Sequence, residues 1–121
     1  MEEEENSKRY DLEERTEKFA RRCRELIRVL PRTLTNHEDA RQLARASGSI
    51  AANYIEANES LSKKDFRMRI KISRKESKES RLFLRLLYTD ESPKQTEERA
   101  SLVQEATELM NILGAILRKS E

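Results

Sequence analysis

Hydrophobic residues recur every three or four positions in four stretches of this 121-residue chain, with polar residues between them. This periodicity of about 3.6 residues is typical of amphipathic α-helices that bury one face. The stretches predict helices over residues 12–30, about 35–57, about 62–88 and from about 93 toward the end of the chain. Pro31 ends the first helix, because proline cannot continue the helical hydrogen-bond pattern.

Capping residues mark the start of each predicted helix. Short polar side chains accept hydrogen bonds from the free N–H groups of a first helical turn, and a polar residue three positions later often completes the arrangement. The connections are only a few residues long, which favours antiparallel neighbours. The predicted fold class is therefore all-α, an up-down-up-down antiparallel four-helix bundle. The capping positions are Asp11, Thr35 with Glu38, Ser62 with Asp65, and Ser92 with Pro93 and Gln95.

Two features predict close packing between helices. Gly48 falls inside helix two, where glycine costs about 1 kcal/mol relative to alanine, which suggests close approach by another backbone. Helix three carries a serine seam that steps by four and three residues, apolar at its ends and small in its middle, and each serine hydroxyl can bond to a carbonyl one turn earlier. The serine seam consists of Phe66, Ile70, Ser73, Ser77, Ser80, Leu84 and Leu87.

Length and composition indicate one small helical domain. A chain of 121 residues fits a single core, predicted here as residues 10–121 after an acidic and polar flexible tail of residues 1–9. Charged residues make up 40% of the chain and hydrophobic residues 36%. Each helix therefore has a narrow apolar stripe, and self-association is expected.

The sequence also predicts where the protein works. Cys23 is the single cysteine and cannot form an internal disulfide, which favours a reducing cytoplasm. No stretch approaches the roughly 20 apolar residues that span a bilayer, and the chain opens with acidic residues where a secretory signal is basic and then apolar. We therefore expect a soluble cytoplasmic protein with no membrane partner.

Positive charge is concentrated on helix three. The whole chain has a net charge of +2, whereas residues 61–88 contain ten Lys or Arg and three Asp or Glu. Six of these cations step by 4, 3, 4, 3 and 4 residues, so on a helix they form one line along its length, called here the basic ridge. The basic ridge consists of Arg67, Lys71, Arg74, Lys78, Arg81 and Arg85.

The basic ridge supports two hypotheses of function. In the first, it binds the phosphates of structured RNA or DNA without reading sequence, since no aromatic platform or base-reading module accompanies it. In the second, the chain is a structural or protein-interaction module, and the ridge pairs with acidic residues of an adjoining subunit. The candidate acidic partners are Glu13, Glu14, Glu17, Glu97 and Glu98.

Catalytic chemistry finds little support. Arg32 and His37 have the Arg-to-His spacing of a class of helical ribonucleases, but Pro31 and Thr35 place them in a turn, which favours an ordinary first-turn histidine. A di-metal site would need Glu-x-x-His, and no glutamate has a histidine three residues later. No Gly-rich phosphate loop, nucleophile elbow or Cys-pair metal site occurs either. We predict a non-enzymatic protein without catalytic, metal or cofactor-binding residues.

Two further pairs of acidic residues are interpreted structurally. Glu56 with Glu59, near the end of helix two, and Glu76 with Glu79, on helix three, are each about one helical turn apart. We interpret both pairs as surface or inter-helix partners of arginines.

Helices two and three carry a family resemblance. The runs SGSIAANYIEA (residues 47–57), SKKDF (62–66) and IKISRKESKES (70–80) resemble the signature of the bacterial four-helix bundle proteins encoded in intervening sequences of 23S rRNA genes, the S23-like or IVS-like family. The opening YDLE (10–13) and the order of four helices fit the same family. Ala57 departs from it, since many members have glycine there.

The resemblance implies properties that the residue pattern does not reach. Related proteins include the accessory variability determinant of diversity-generating retroelements, which is similar to the same bundle assembled as a basic barrel. By resemblance, the chain is expected to form a ring-like homo-oligomer, a homopentamer, and to bind nucleic acid or assist a reverse transcriptase. The intervening-sequence branch implies no settled activity and no catalytic residues.

Overall fold

Four α-helices make up the computed structural model, which describes the backbone of residues 2–121 and the side chains of residues 11–121. They are α1 (Glu2–Val29), α2 (Leu34–Asn58), α3 (Lys63–Leu86) and α4 (Pro93–Lys119). No strand occurs between residues 2 and 121. The predicted all-α class is confirmed.

The helices pack side by side around a common core. α2 packs on α3, α3 on α4, α4 on α1 and α1 on α2, while the two diagonal pairs do not approach each other within the described chain. Neighbours run antiparallel, because contacts further along one helix fall earlier along the next. Examples are Arg15 with Glu105 and Arg22 with Glu98 between α1 and α4, and Arg67 with Leu117 and Arg81 with Thr107 between α3 and α4. The predicted up-down-up-down bundle is confirmed.

Each helix contributes apolar residues to one continuous core. Cys23 is fully buried in it, and burial raises the pKa of its thiol to about 12, so the thiol stays protonated and unreactive near neutral pH. Fully buried apolar side chains come from all four helices and include Phe19, Leu43, Ile50, Ile70, Leu84, Leu102, Leu109 and Leu113.

The first helix begins earlier than the apolar pattern predicts. α1 starts at Glu2, so Asp11 lies within the helix and does not cap it. The periodic stripe that marks the helix begins only at Leu12, which is buried, and residues before it carry no apolar signal. The side chains of residues 1–9 lie outside the described residues, so the flexibility of this segment stays a prediction.

The second helix uses a different cap from the one predicted. Its N-cap is Thr33, whose hydroxyl oxygen accepts a hydrogen bond from the backbone N–H of Asn36 at 3.1 Å. Thr33 has the extended backbone of an N-cap residue, whereas Thr35 already lies in the helix, which begins at Leu34. The predicted capping box of Thr35 with Glu38 is therefore wrong, because two threonines compete and the earlier one starts the helix.

The remaining two helix starts are as predicted. The Ser62 hydroxyl accepts from the backbone N–H of Asp65 at 3.1 Å, and the Ser92 hydroxyl accepts from that of Gln95 at 3.4 Å. Pro93 occupies the first position of α4, where its missing N–H costs nothing. The Ser62 cap fixes the N-terminal end of α3, which carries the basic ridge.

Gly48 makes room for a side chain and not for another backbone. A Cβ atom at this position would lie 3.2 Å from Nη2 of Arg24 on α1 and would meet no backbone atom of another described helix within 4 Å. Arg24 donates to the carbonyl oxygens of Ala44 on α2 and Ala20 on its own helix, at 3.2 and 3.1 Å. The predicted close backbone approach is wrong, because the space beside Gly48 is filled by this guanidinium group.

Candidate nucleic-acid interface

The serine seam of α3 is buried inside the bundle. Ser73, Ser77 and Ser80 are completely inaccessible to solvent. The Ser73 hydroxyl donates to the carbonyl oxygen of Ile50 on α2 at 2.8 Å, and the Ser77 hydroxyl donates to that of Ser73, one turn earlier, at 3.0 Å. The Ser80 hydroxyl has no hydrogen-bond partner among the described residues. Since the serine seam packs within the chain, the basic ridge beside it is turned toward α4 and the solvent.

The basic ridge divides into two lines of three residues. Lys71, Lys78 and Arg85 are exposed, whereas the other three cations are half-buried against α4. Members of each line are seven residues apart, and a step of seven returns to nearly the same side of a helix. The half-buried line consists of Arg67, Arg74 and Arg81.

The half-buried line contacts α4 along most of its length. Arg67 donates from Nη1 to the carbonyl oxygen of Leu117 at 2.8 Å and to the hydroxyl of Ser120 at 2.7 Å, at the C-terminus of α4, where the helix dipole favours a cation. Arg81 donates to the hydroxyl of Thr107 at 3.4 Å. All of these partners are uncharged, so the arginines keep their full positive charge at the surface between α3 and α4.

The acidic residues of α4 that form ion pairs point away from the basic ridge. Glu105 accepts two hydrogen bonds of 2.8 Å from Arg15 of α1, and Glu98 pairs with Arg22 of the same helix. The hydrogen bond to Glu105 is the main cause of a raised pKa at Arg15. Glu108 also faces Arg15, at 3.2 Å. These carboxylates tie α4 to α1 and leave the side of α4 beside α3 without a paired acid.

Two of the three acidic residues of α3, Glu76 and Glu79, are neutralised on its side toward α2, whereas Asp65 in its first turn is exposed and forms no ion pair among residues 11–121. Arg45 of α2 lies 3.4 Å from a carboxylate oxygen of Glu76 and 3.1 Å from one of Glu79. The charge of Glu76, a residue only 5% exposed, is the main reason that the pKa of Arg45 is raised. The interpretation of Glu76 and Glu79 as inter-helix partners of an arginine is confirmed, whereas Glu56 and Glu59 are exposed and form no ion pair among residues 11–121.

A positively charged surface therefore remains between α3 and α4. None of the six ridge cations forms an ion pair with any of residues 11–121. Arg118 of α4, which the sequence pattern did not single out, adds a seventh cation beside Arg74. We call this the α3–α4 basic surface, and it consists of Arg67, Lys71, Arg74, Lys78, Arg81, Arg85 and Arg118.

Three of the five acidic residues considered as partners of an adjoining subunit are occupied within the chain. Glu98 pairs with Arg22, and Glu17 pairs with Arg21 at 2.7 Å. Glu13 accepts a hydrogen bond from the Asn58 side chain at 3.0 Å. The other two, Glu14 and Glu97, are exposed. This arrangement reduces the acidic surface with which the basic ridge of another subunit could pair.

Arg32 and His37 border one cleft at the α1–α2 connection. The cleft has a volume of about 610 Å³ and apolar walls that include Ile27, Leu30 and Ala40. Arg32 lies in the connection and His37 in the first turn of α2, and both are exposed. Neither side chain has a hydrogen-bond or ion-pair partner among the described residues. The geometry adds no group that would orient them for acid–base chemistry, and the non-enzymatic interpretation stays a prediction.

Residues 11–121 contain no cluster of three His, Cys, Asp or Glu side chains that could hold a metal ion. In the described part of the chain, no helix combines the length and apolar character needed to cross a membrane.

Asn36 is a structural residue that the sequence pattern did not reveal. It is 4% exposed and donates from Nδ2 to the carbonyl oxygens of Pro31 and Tyr88, at 2.9 and 2.8 Å. Its Oδ1 accepts from the backbone N–H of Tyr88 at 2.8 Å. Asn36 thus joins the α1–α2 connection to the end of α3. Its partners are backbone atoms, which every residue has, so no side-chain pattern could have identified them.

Comparison with known proteins supports the four-helix fold. The profile of the family described as 23S rRNA-intervening sequence protein matches residues 8–115. A crystal structure of a protein of unknown function from the S23 ribosomal protein family of Bacteroides thetaiotaomicron VPI-5482 is similar, with a TM-score of 0.70 and 28% sequence identity, over 87% of this chain and 96% of that one. No curated protein matches the chain. With almost its whole length matched by the family profile, the chain belongs to the 23S rRNA-intervening sequence protein family.

Proposed function

We propose that this protein is a non-enzymatic, oligomeric helical bundle that binds structured RNA or DNA through phosphate contacts on the α3–α4 basic surface. Lys71, Lys78 and Arg85 are the exposed cations and make the outer contacts. Arg67, Arg74 and Arg81 line the same surface closer to α4 and add charge that is partly shielded from water. Phosphate contacts of this kind position a nucleic acid without reading its sequence.

One observation carries the proposal: the cations of the basic ridge have no acidic partner among the described residues. Glu76 and Glu79 of α3 pair with α2, and the paired acids of α4 face α1. Cations that lie in a line without acidic partners repel one another. A polyanion, whose negative charges repeat along its chain, stabilises such a line. At 1.5 Å per residue, the line from 67 to 85 is about 27 Å long, enough for several phosphates of one strand.

Filter binding of the wild-type protein tests the proposal. We expect a labelled RNA hairpin and a DNA duplex of equal length to be retained at about 50 mM salt. If about five phosphates are neutralised, the affinity for the duplex falls several hundredfold at about 200 mM salt, because each contact releases counterions. Absence of retention at low salt for both probes would remove nucleic-acid binding as the function.

Self-association is the second part of the proposal. Four apolar side chains at α3 and its C-terminal end are about half exposed, namely Met68, Leu82, Leu86 and Tyr88. Burying them between subunits would add apolar contacts to those made by the narrow apolar stripes that the composition predicts. The family resemblance supports a pentamer, in which copies of the basic surface would bind one nucleic acid with avidity. A reverse transcriptase is the protein partner that the resemblance to the retroelement accessory subunit supports.

The alternative function is a structural module whose subunits join through the basic ridge. It is favoured by two half-exposed leucines, Leu82 and Leu86, which lie close to Arg85 in the sequence. Size-exclusion chromatography with light scattering separates the two. We expect the variant Lys71→Glu with Lys78→Glu to keep the wild-type oligomeric mass, because both side chains are exposed and unpaired. Dissociation of this variant into smaller species would favour the ridge as an assembly contact.

A further inference from the structure

The middle of the α3–α4 basic surface contains an unusual pair of cations. A Cβ atom at Gly114 of α4 would lie 3.4 Å from Nε of Arg74, on α3, and 3.5 Å from Nη1 of Arg118, one turn later on α4. Since both nitrogens lie this close to one point, they are no more than about 7 Å apart. Two guanidinium groups therefore converge on the space that a side chain at position 114 would occupy.

Neither arginine has a partner that would explain this convergence. Arg74 and Arg118 form no ion pair, and their side chains donate no hydrogen bond, among residues 11–121. Nε of Arg74 is buried without any hydrogen-bond partner. Two like charges at this distance repel each other, and a buried cationic donor without an acceptor is unfavourable. An anion bound between the two guanidinium groups would relieve both costs.

Gly114 contributes to the same arrangement. Glycine destabilises a helix interior relative to alanine. Gly114 nevertheless lies inside α4, where it is buried and directly follows the fully buried Leu113. Because glycine has no side chain, Arg74 extends into the space beside Gly114. Lys71 precedes Arg74 by three residues and so lies beside it on the same face of α3. Lys71 and Arg118 are both exposed, so this part of the surface is accessible from solvent.

We infer that Arg74, Arg118 and Lys71 form a discrete phosphate-binding site over Gly114. A phosphate group has several oxygens and more negative charge than a carboxylate, which suits two guanidinium forks and an ammonium group. The phosphate comes from the backbone of a bound RNA or DNA, or from a free phosphorylated small molecule. This inference rests on the proposed function and adds to it a fixed position that anchors one phosphate, while Lys78 and Arg85 make diffuse contacts.

Inorganic phosphate tests the site without any nucleic acid. We would record ¹H–¹⁵N spectra of the arginine Nε groups in protein labelled with ¹⁵N-arginine, while adding phosphate or chloride at equal ionic strength. We expect saturable shifts of the Arg74 and Arg118 signals with phosphate only. Equal responses to phosphate and chloride would overturn the inference, whether or not RNA is retained on a filter.

A matched pair of variants locates the response. Arg118→Gln removes one exposed member of the site and should raise the Kd for phosphate about tenfold, as expected for loss of one charge-assisted fork. Lys119→Gln removes the same charge from the neighbouring exposed position and should leave the Kd within about twofold of wild type. Equal losses in the two variants would overturn the inference by showing a general charge effect.

Nucleic-acid retention then identifies the source of the phosphate. If Arg118→Gln weakens RNA or DNA retention and Lys119→Gln does not, the site anchors a backbone phosphate. If phosphate binds at the site while no nucleic acid is retained, the site stands, its ligand is a free phosphorylated molecule, and the proposed function fails. The two failures are therefore distinguishable.

Discussion

Replacing Lys71 and Lys78 together by glutamate is expected to weaken nucleic-acid binding on the order of a hundredfold at about 100 mM salt. Each lost phosphate contact reduces affinity by about tenfold at this salt concentration, because fewer counterions are released on binding. The new carboxylates also attract Arg67 and Arg74, one turn away, and so reduce the charge available to phosphates. The salt dependence should flatten by about two units of slope. A filter-binding titration at several salt concentrations measures both quantities.

The double variant has a control of equal charge on the opposite side of the bundle. Lys18 and Arg28 are exposed on α1, form no ion pair among the described residues, and belong to the helix that lies diagonally opposite α3. Lys18→Glu with Arg28→Glu should change the affinity less than about threefold. Equal weakening by both double variants would mean that net charge, and not the α3–α4 basic surface, governs binding.

Replacing Asn36 by alanine is expected to destabilise the fold by about 3 kcal/mol. The change removes three hydrogen bonds and leaves the N–H and carbonyl groups of Tyr88 and the carbonyl group of Pro31 without this partner. An unsatisfied buried polar group costs about 1 to 3 kcal/mol, and partial access of water lowers the sum. Urea denaturation followed by circular dichroism at 222 nm measures the free energy of unfolding.

Thr35→Ala is the matched control for Asn36→Ala. Thr35 is the adjacent residue, it is exposed, and its hydroxyl makes no hydrogen bond among the described residues. Its replacement should change the free energy of unfolding by less than about 0.5 kcal/mol. If Thr35→Ala destabilised the fold as much as Asn36→Ala, the loss could not be assigned to the three hydrogen bonds of Asn36.

The hydrophobic periodicity predicts four helices and the short connections predict their antiparallel order, and the structure confirms both. Helix ends are less well predicted, because a cap depends on which of two nearby polar residues takes the extended conformation. Thr33 and Thr35 are both residues that cap helices, and the backbone geometry shows that Thr33 is the cap although Glu38 favours Thr35. α1 begins before its apolar stripe, where periodicity carries no information.

The basic ridge shows what spacing alone can predict. Steps of four and three residues place the six cations on one side of α3, but they do not reveal which neighbouring helix flanks that side. α4 lies against Arg67, Arg74 and Arg81, so half of the predicted site is half-buried and half is exposed. The same packing decides which helix supplies the arginines that pair with the acids of α3 and α4, and the spacing does not reveal that helix.

The two glycines also show that the sequence does not reveal which residues pack together across helices. Gly48 and Gly114 both accommodate the guanidinium group of an arginine from a neighbouring helix. From the sequence, a glycine within a helix indicates only that space is needed. What fills the space depends on contacts between residues far apart in the chain, here Arg24 with Gly48 and Arg74 with Gly114.

Cross-linking of a bound RNA tests the central claim most directly. A hairpin containing 4-thiouridine would be irradiated with the wild-type protein at low salt, and the cross-linked peptides would be identified by mass spectrometry. If the α3–α4 basic surface binds nucleic acid, cross-links concentrate in residues 67–85 of α3 and near Arg118 of α4. Cross-links concentrated in α1, or spread evenly over all four helices, would contradict the claim.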